Sequence, residues 1–109
     1  MLKPLFGSDA REKVLVFIFA RDKGYAQEIA DFFKLAISQV QKQLDSLEAG
    51  SIIVGQAVGR TRLYQFNPRL FYLKELKALL QKTLFFYPAE IQEELTINRR
   101  RPRRRNKPL

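Results

Sequence analysis

The chain reads as a mainly α domain with one small β-hairpin, ordered helix, helix, helix, hairpin, helix. Three observations lead there. Apolar residues recur at helical spacing in four separate stretches. An Ile/Val-rich run, Ser51 to Gln56, is answered by an alternating run, Arg62 to Phe66. Breaker and capping residues such as Ser8, Asp22-Lys23-Gly24 and Gly50 fall between these stretches.

Ser8 or Asp9 can cap a first helix ending near Arg21, with Glu12 and Arg21 matched to the helix dipole. Ala10, Val14, Phe17 and Arg21 share one face of it, and Leu15, Ile18 and Phe19 another. So broad an apolar surface suits a central core helix, or one that also packs on a second subunit. Ala26 to Phe33 makes a short second helix, with Ile29 and Phe33 at i, i+4. Lys34-Leu35-Ala36 is a tight connection. The third helix runs from Ile37 to Ala49 on a Val40, Leu44, Leu47 stripe, and Gly50 is its terminator. A strand from Ser51 to Gln56 follows, with Gly55 and Gly59 flanking a turn. In the return strand Leu63 and Gln65 face one side, Tyr64 and Phe66 the other. Asn67-Pro68 ends it. A fourth helix starts near Leu70 on Leu73, Leu76, Leu80 and Leu84, and Pro88 separates a last helical turn or two holding Ile91 and Leu95.

A short helix, a tight turn and a longer polar-faced helix form a helix-turn-helix, and the hairpin after it is a wing. With Val40, Leu44 and Leu47 turned inward, Ser38, Gln39, Gln41, Lys42 and Asp45 point outward, and Gln43 adds a third glutamine to this stretch. Gln can read adenine through N6 and N7; Lys can read guanine or hold phosphate. Arg60 and Arg62 sit at or beside the hairpin tip, suited to a narrow minor groove, and Thr61 can bond a phosphate. The same residues also suit an ordinary solvated helix face and an exposed, charged turn. Found together, they favour a DNA-binding surface.

From Leu5 to Leu84 the chain resembles winged helix-turn-helix regulators of the ArsR-like kind. The resemblance rests on Leu5-Phe6-Gly7-Ser8, Tyr25-Ala26-Gln27-Glu28-Ile29-Ala30, Leu47-Glu48-Ala49-Gly50, and Val58-Gly59-Arg60-Thr61-Arg62-Leu63-Tyr64 with Asn67-Pro68. The hairpin string is similar to a subgroup encoded beside, or fused to, minimal nucleotidyltransferase domains. The resemblance implies a homodimer built on the first and last helices, with two recognition helices on a pseudo-palindromic DNA site. Val14, Phe17, Leu80, Leu84, Phe85 and Phe86 are the residues this assigns to the dimer face. A protein-interaction module pairing with a nucleotidyltransferase-like partner is the alternative it carries. Metal-sensing members use Cys or His ligands, and this chain has neither.

The chain's 109 residues suit one domain, expected over 1–97. Nine Phe supply a core. The formal charge of +9 is uneven. Arg99, Arg100, Arg101, Arg103, Arg104, Arg105 and Lys107 concentrate seven positive charges without an acid. The remainder holds 13 Lys and Arg against 11 Asp and Glu, only +2. Residues 98–109 therefore read as a disordered basic tail, either an electrostatic arm for nucleic acid or a solvated end. Used alone, such a tail makes a nonspecific nucleic-acid binder. Without Cys or His there is no disulfide, no thiolate metal site and no His-based catalysis. No phosphate loop or pocket-forming carboxylate pair is visible, so neither an enzyme nor a cofactor is expected. No apolar run reaches membrane-spanning length and the N-terminus lacks a signal-peptide core, which makes the cytoplasm the expected compartment. The functional expectation is a sequence-specific double-stranded DNA-binding repressor, acting as a homodimer.

Overall fold

The computed structural model describes residues 1–100, with side chains described through Thr96. Its described elements are mainly helical, with a small antiparallel sheet: α1 Lys3–Phe6, α2 Asp9–Arg21, β1 Gly24–Tyr25, α3 Ala26–Phe33, α4 Ile37–Ala49, β2 Ile53–Val58, β3 Thr61–Phe66, α5 Leu73–Phe85 and α6 Ala89–Arg100. Arg101, Arg103, Arg104, Arg105 and Lys107 lie outside the described residues. The backbone of residues 98–100, expected in the tail, continues α6.

α2 is the centre. Ser8 caps it, its Oγ accepting from the Arg11 N–H at 3.0 Å. Val14, Leu15, Val16, Phe17 and Ile18 are all buried, so this middle stretch of the helix keeps no face for solvent. α1, α4, α5 and α6 pack around it. This decides between the two readings of its breadth. Val14, Phe17 and Leu80 are fully buried and Leu84 is 5% exposed within one chain, so they offer no face to a second subunit. Phe85 and Phe86 are 70% and 68% exposed.

Glu12 is buried beside this core. Its Oε2 accepts from the Tyr87 hydroxyl at 2.6 Å, and its Oε1 accepts from the Leu2 N–H and lies 3.2 Å from the Met1 ammonium. Burial pushes the carboxyl up, but Tyr87, the Leu2 N–H and the ammonium together outweigh it and hold Glu12 below its ordinary 4.5. Burial, then Glu12, pushes the Tyr87 hydroxyl up. The pair ties α2 to the junction between α5 and α6.

α3 and α4 have the expected spans. Between them Lys34 takes a left-handed conformation, φ 57°, and its N–H returns to the Ala30 carbonyl. The chain therefore turns without the Gly that usually supplies this geometry. Gly50 is not left-handed; Ser51 is, at φ 64°. β2 starts later than Ser51 and runs to Val58. Gly55 therefore lies inside a strand, opposite Tyr64, rather than beside the turn. β1 adds an unexpected third strand, Gly24 and Tyr25 pairing with Tyr64 and Leu63, in the order β1-β3-β2. α5 begins at Leu73, because Asn67 Oδ1 accepts the Arg69 N–H and holds the preceding residues in a turn. Among the described residues no helix is long and apolar enough to cross a membrane.

Two outcomes follow from this packing. Phe17→Ala should cost about 3–5 kcal/mol in urea unfolding, independent of protein concentration, while Phe85→Ala should leave the stability of the single chain nearly unchanged. Glu12 has a folded value below its unfolded one, so its stabilisation is present above 4.5 and disappears as pH falls through the folded value. Tyr87→Phe should cost about 1.5–3 kcal/mol at neutral pH and flatten the acid limb of a stability–pH curve.

Candidate nucleic-acid interface

Val40, Leu44 and Leu47 are buried and anchor α4 on the core. Ser38, Gln39 and Lys42 are exposed. Two glutamines of the expected reading set are engaged elsewhere. Gln41 Nε2 donates to Asp45 Oδ1 at 2.9 Å and to the Tyr64 hydroxyl at 3.1 Å, bridging α4 to β3. Gln43 Oε1 accepts from Arg11 Nε at 2.9 Å, next to a 2.7 Å bond from Arg11 Nη2 to Ser46 Oγ. Gln43 therefore faces α2 and is not part of the outward set. No side chain caps the N-terminus of α4, and its first turn holds no acid. The positive end of the helix dipole is thus open to an anion.

The hairpin turns at Gly59, whose φ of 62° suits a residue without Cβ. Thr61 Oγ1 donates to the Val58 carbonyl at 2.8 Å and closes this turn. Arg60 is exposed and forms no ion pair among the described residues.

Arg62 behaves differently. Its Nη2 lies 2.6 Å from Glu48 Oε2 near the end of α4, and that hydrogen bond and charge hold the guanidinium pKa above its usual value. The guanidinium also lies across Gly55 on the neighbouring strand. A Cβ on Gly55 would collide with Arg62 Nε and come within 3.0 Å of Cζ. Arg62 is thus a strut between hairpin and helix, not a free cation at the tip.

Between the starts of α3 and α4 and the hairpin tip lies an open cleft of about 530 Å³, framed by Tyr25, Gln27, Ile37, Gln41, Arg60 and Tyr64. Alternation in β3 sets Tyr64 and Leu63 on opposite faces, and the structure turns Tyr64 inward. The contributions of Tyr25 and Gln27 had no sequence signal, because β1 is too short to show a period. The arrangement supplies exposed amide and hydroxyl groups, two cations and a helix N-terminus on adjoining surfaces. Among the described residues no His, Cys, Asp and Glu side chains group as metal ligands.

Gly55→Ala should displace Arg62 and free the hairpin. Amide hydrogen exchange across residues 53–66 should accelerate, while exchange in α2 stays as in the parent. Unchanged hairpin protection would show that Arg62 does not brace it. Comparison of the chain with protein-family models, curated proteins and solved structures finds no match.

Proposed function

We propose that this protein is a winged helix-turn-helix regulator of the ArsR-like kind, binding double-stranded DNA sequence-specifically as a homodimer and acting as a repressor. In this reading α3 and α4 form the helix-turn-helix, α4 is the recognition helix and the β2–β3 hairpin is the wing. The observation that carries it is the exposed N-terminal part of α4 beside the hairpin tip, with Gln39, Lys42 and Arg60 exposed and an uncapped helix start. A helix can enter a major groove while an adjacent hairpin follows the backbone or the minor groove. Gln39 and Lys42 would read bases, Ser38 and Arg60 would hold phosphates, and Gln41, Thr61 and Arg62 would set the geometry. The tail cations, Arg99 through Lys107, would add salt-sensitive affinity without selectivity. No catalytic step is assigned to the chain.

The exposed Phe85 and Phe86 support a protein-contact face near the end of α5. In the regulator reading a second copy covers it. A nucleotidyltransferase-like protein covering it is the second reading, and concentration-dependent self-association that is lost in Phe85→Ala/Phe86→Ala would decide for the first.

Fragmented genomic DNA selected at about 0.2 M salt, where phosphate-only binding is suppressed, tests the function directly. The full chain and a version ending at Asn98 should enrich the same short inverted repeat. Gln39→Ala or Lys42→Ala should lose about 1–3 kcal/mol of discrimination between sites, whereas Arg60→Ala should weaken all sites alike. Binding that disappears on truncation, with no enriched repeat, would leave the tail as the only nucleic-acid element and overturn the proposal.

A further inference from the structure

β2 is an edge of its sheet. The strand order β1-β3-β2 leaves one side of it without a neighbouring strand. The two-residue turn Gly59-Arg60 makes Val58 and Thr61 the last hydrogen-bonded pair of the hairpin, so Val54, Gln56 and Val58 direct their backbone groups toward β3. Gly55 and Ala57 direct theirs outward, where no backbone partner meets them among the described residues. Ile53 points outward as well, but it is fully buried. The open edge therefore runs from Val54 to Val58.

Exposed edges are usually guarded by Lys, Pro, a bulge or an inward charge. β2 has no charged residue and no Pro, and its register with β3 is unbroken by a bulge. Val54 and Val58 are 37% and 40% exposed, and the exposed Gln56 lies between them on the same face. Thr61, Leu63 and Gln65, opposite them on β3, add no charge to that face. Arg62 belongs to the other face, where it is tied to Glu48.

The sequence of this edge also mirrors itself. Val54-Gly55-Gln56-Ala57-Val58 reads β-branched, small, amide, small, β-branched in either direction. A two-fold contact calls for such a pattern, because each residue must suit the one opposite.

We propose that two copies of the chain pair their β2 edges antiparallel about a two-fold axis at Gln56, joining their sheets into one. Val54 of each copy then faces Val58 of the other, and the two Gln56 amides, each both donor and acceptor, meet at the axis. Gly55 of each faces Ala57 of the other, and these pairs exchange about four backbone hydrogen bonds. An axis at Gly55 would need the buried Ile53 and would set Val54 against Gln56. Antiparallel pairing carries each Arg60 to the base of the other hairpin, about 26 Å from its own counterpart. An extended strand from another protein would meet the same backbone groups, but it gives no reason for the mirrored sequence.

The pairing uses the edge and outer face of β2, not Arg60 or the start of α4, and it holds whether or not the chain binds DNA. It is also separate from Phe85 and Phe86, at the end of α5. Two isologous contacts on one chain build assemblies larger than a pair.

The chain has no Cys, so single cysteines report the register directly. Gln56→Cys should cross-link two chains under mild oxidation, since such directly opposed residues stand about 4.5 Å apart between Cα atoms, within disulfide reach. Gln65→Cys, exposed on the same face but one strand inward, should not. Val54→Cys should cross-link with Val58→Cys in a mixture, and neither with itself. Sedimentation velocity of Phe85→Ala/Phe86→Ala, which removes the α5 contact, should still show concentration-dependent pairing. In that background Gln56→Lys and Gln56→Glu should each weaken pairing about fivefold, and an equimolar mixture should restore it, because opposite charges then meet at the axis. Ala57→Pro, which removes an outward N–H and no bond to β3, should weaken it too. These positions are exposed, so circular dichroism and unfolding curves should match the parent. Cross-linking of Gln65→Cys as readily as Gln56→Cys, or a Lys/Glu mixture that pairs no better than either variant, would overturn the proposal. Pairing of the parent that is lost entirely in Phe85→Ala/Phe86→Ala would overturn it too, and would leave the α5 contact standing.

Discussion

Everything in this fold depends on one stretch of helix having no outside. From Val14 to Ile18 α2 is buried around its whole circumference, and the other helices are arranged as its wrapping. A helix apolar on all sides cannot be stable alone, because it has no polar face to offer water. It becomes stable only when several partners close over it, which makes folding of the chain strongly cooperative. The buried carboxylate of Glu12 fits this logic. Charge inside a core is tolerated only when its acceptors are filled, and Tyr87 and the Leu2 N–H fill them. The ends of the chain segment from Leu2 to Tyr87 are thereby fastened to the same residue.

The exterior follows from that arrangement. With α2 claiming the core, α4 keeps one stripe for packing and one for solvent, and the hairpin is anchored at its base by the buried Ile53, Tyr64 and Phe66. Two polar bridges add to that anchor, Gln41 to Tyr64 and Arg62 to Glu48. Both use residues, Gln41 and Arg62, that a reading of side-chain type alone would assign to a ligand. Side chains that touch a partner and side chains that hold the touching ones in place look identical in a linear string. Only the partner at the far end distinguishes them.

That difference sets what could be read from the sequence. The bounds of α3 and α4, the inward stripe Val40, Leu44, Leu47 and the alternation of Tyr64 with Leu63 were legible, because each depends on residues close together in the chain. Lys34 closing a turn in place of Gly was not, since left-handed Lys depends on the packing of the helices on either side. α1 and β1 are too short for any period to show. Gln43 facing Arg11 and Arg62 facing Glu48 are tertiary choices between several available partners. The breadth of α2 was legible as an apolar surface wider than one seam needs, but whether the chain itself could cover it depended on how many neighbours the rest of the chain could supply. The candidate site was therefore legible as a region, and its division into contacts and supports was not.

The brace between Arg62 and Glu48 has a further consequence. It is a solvent-exposed ion pair, and salt weakens such pairs within the range where it also screens phosphate contacts. For a chain that binds DNA as proposed, ionic strength then enters twice, once at the phosphates and once through the angle at which the hairpin is held. A plot of log affinity against log salt would bend rather than run straight, the bend marking where the hairpin comes loose from its helix.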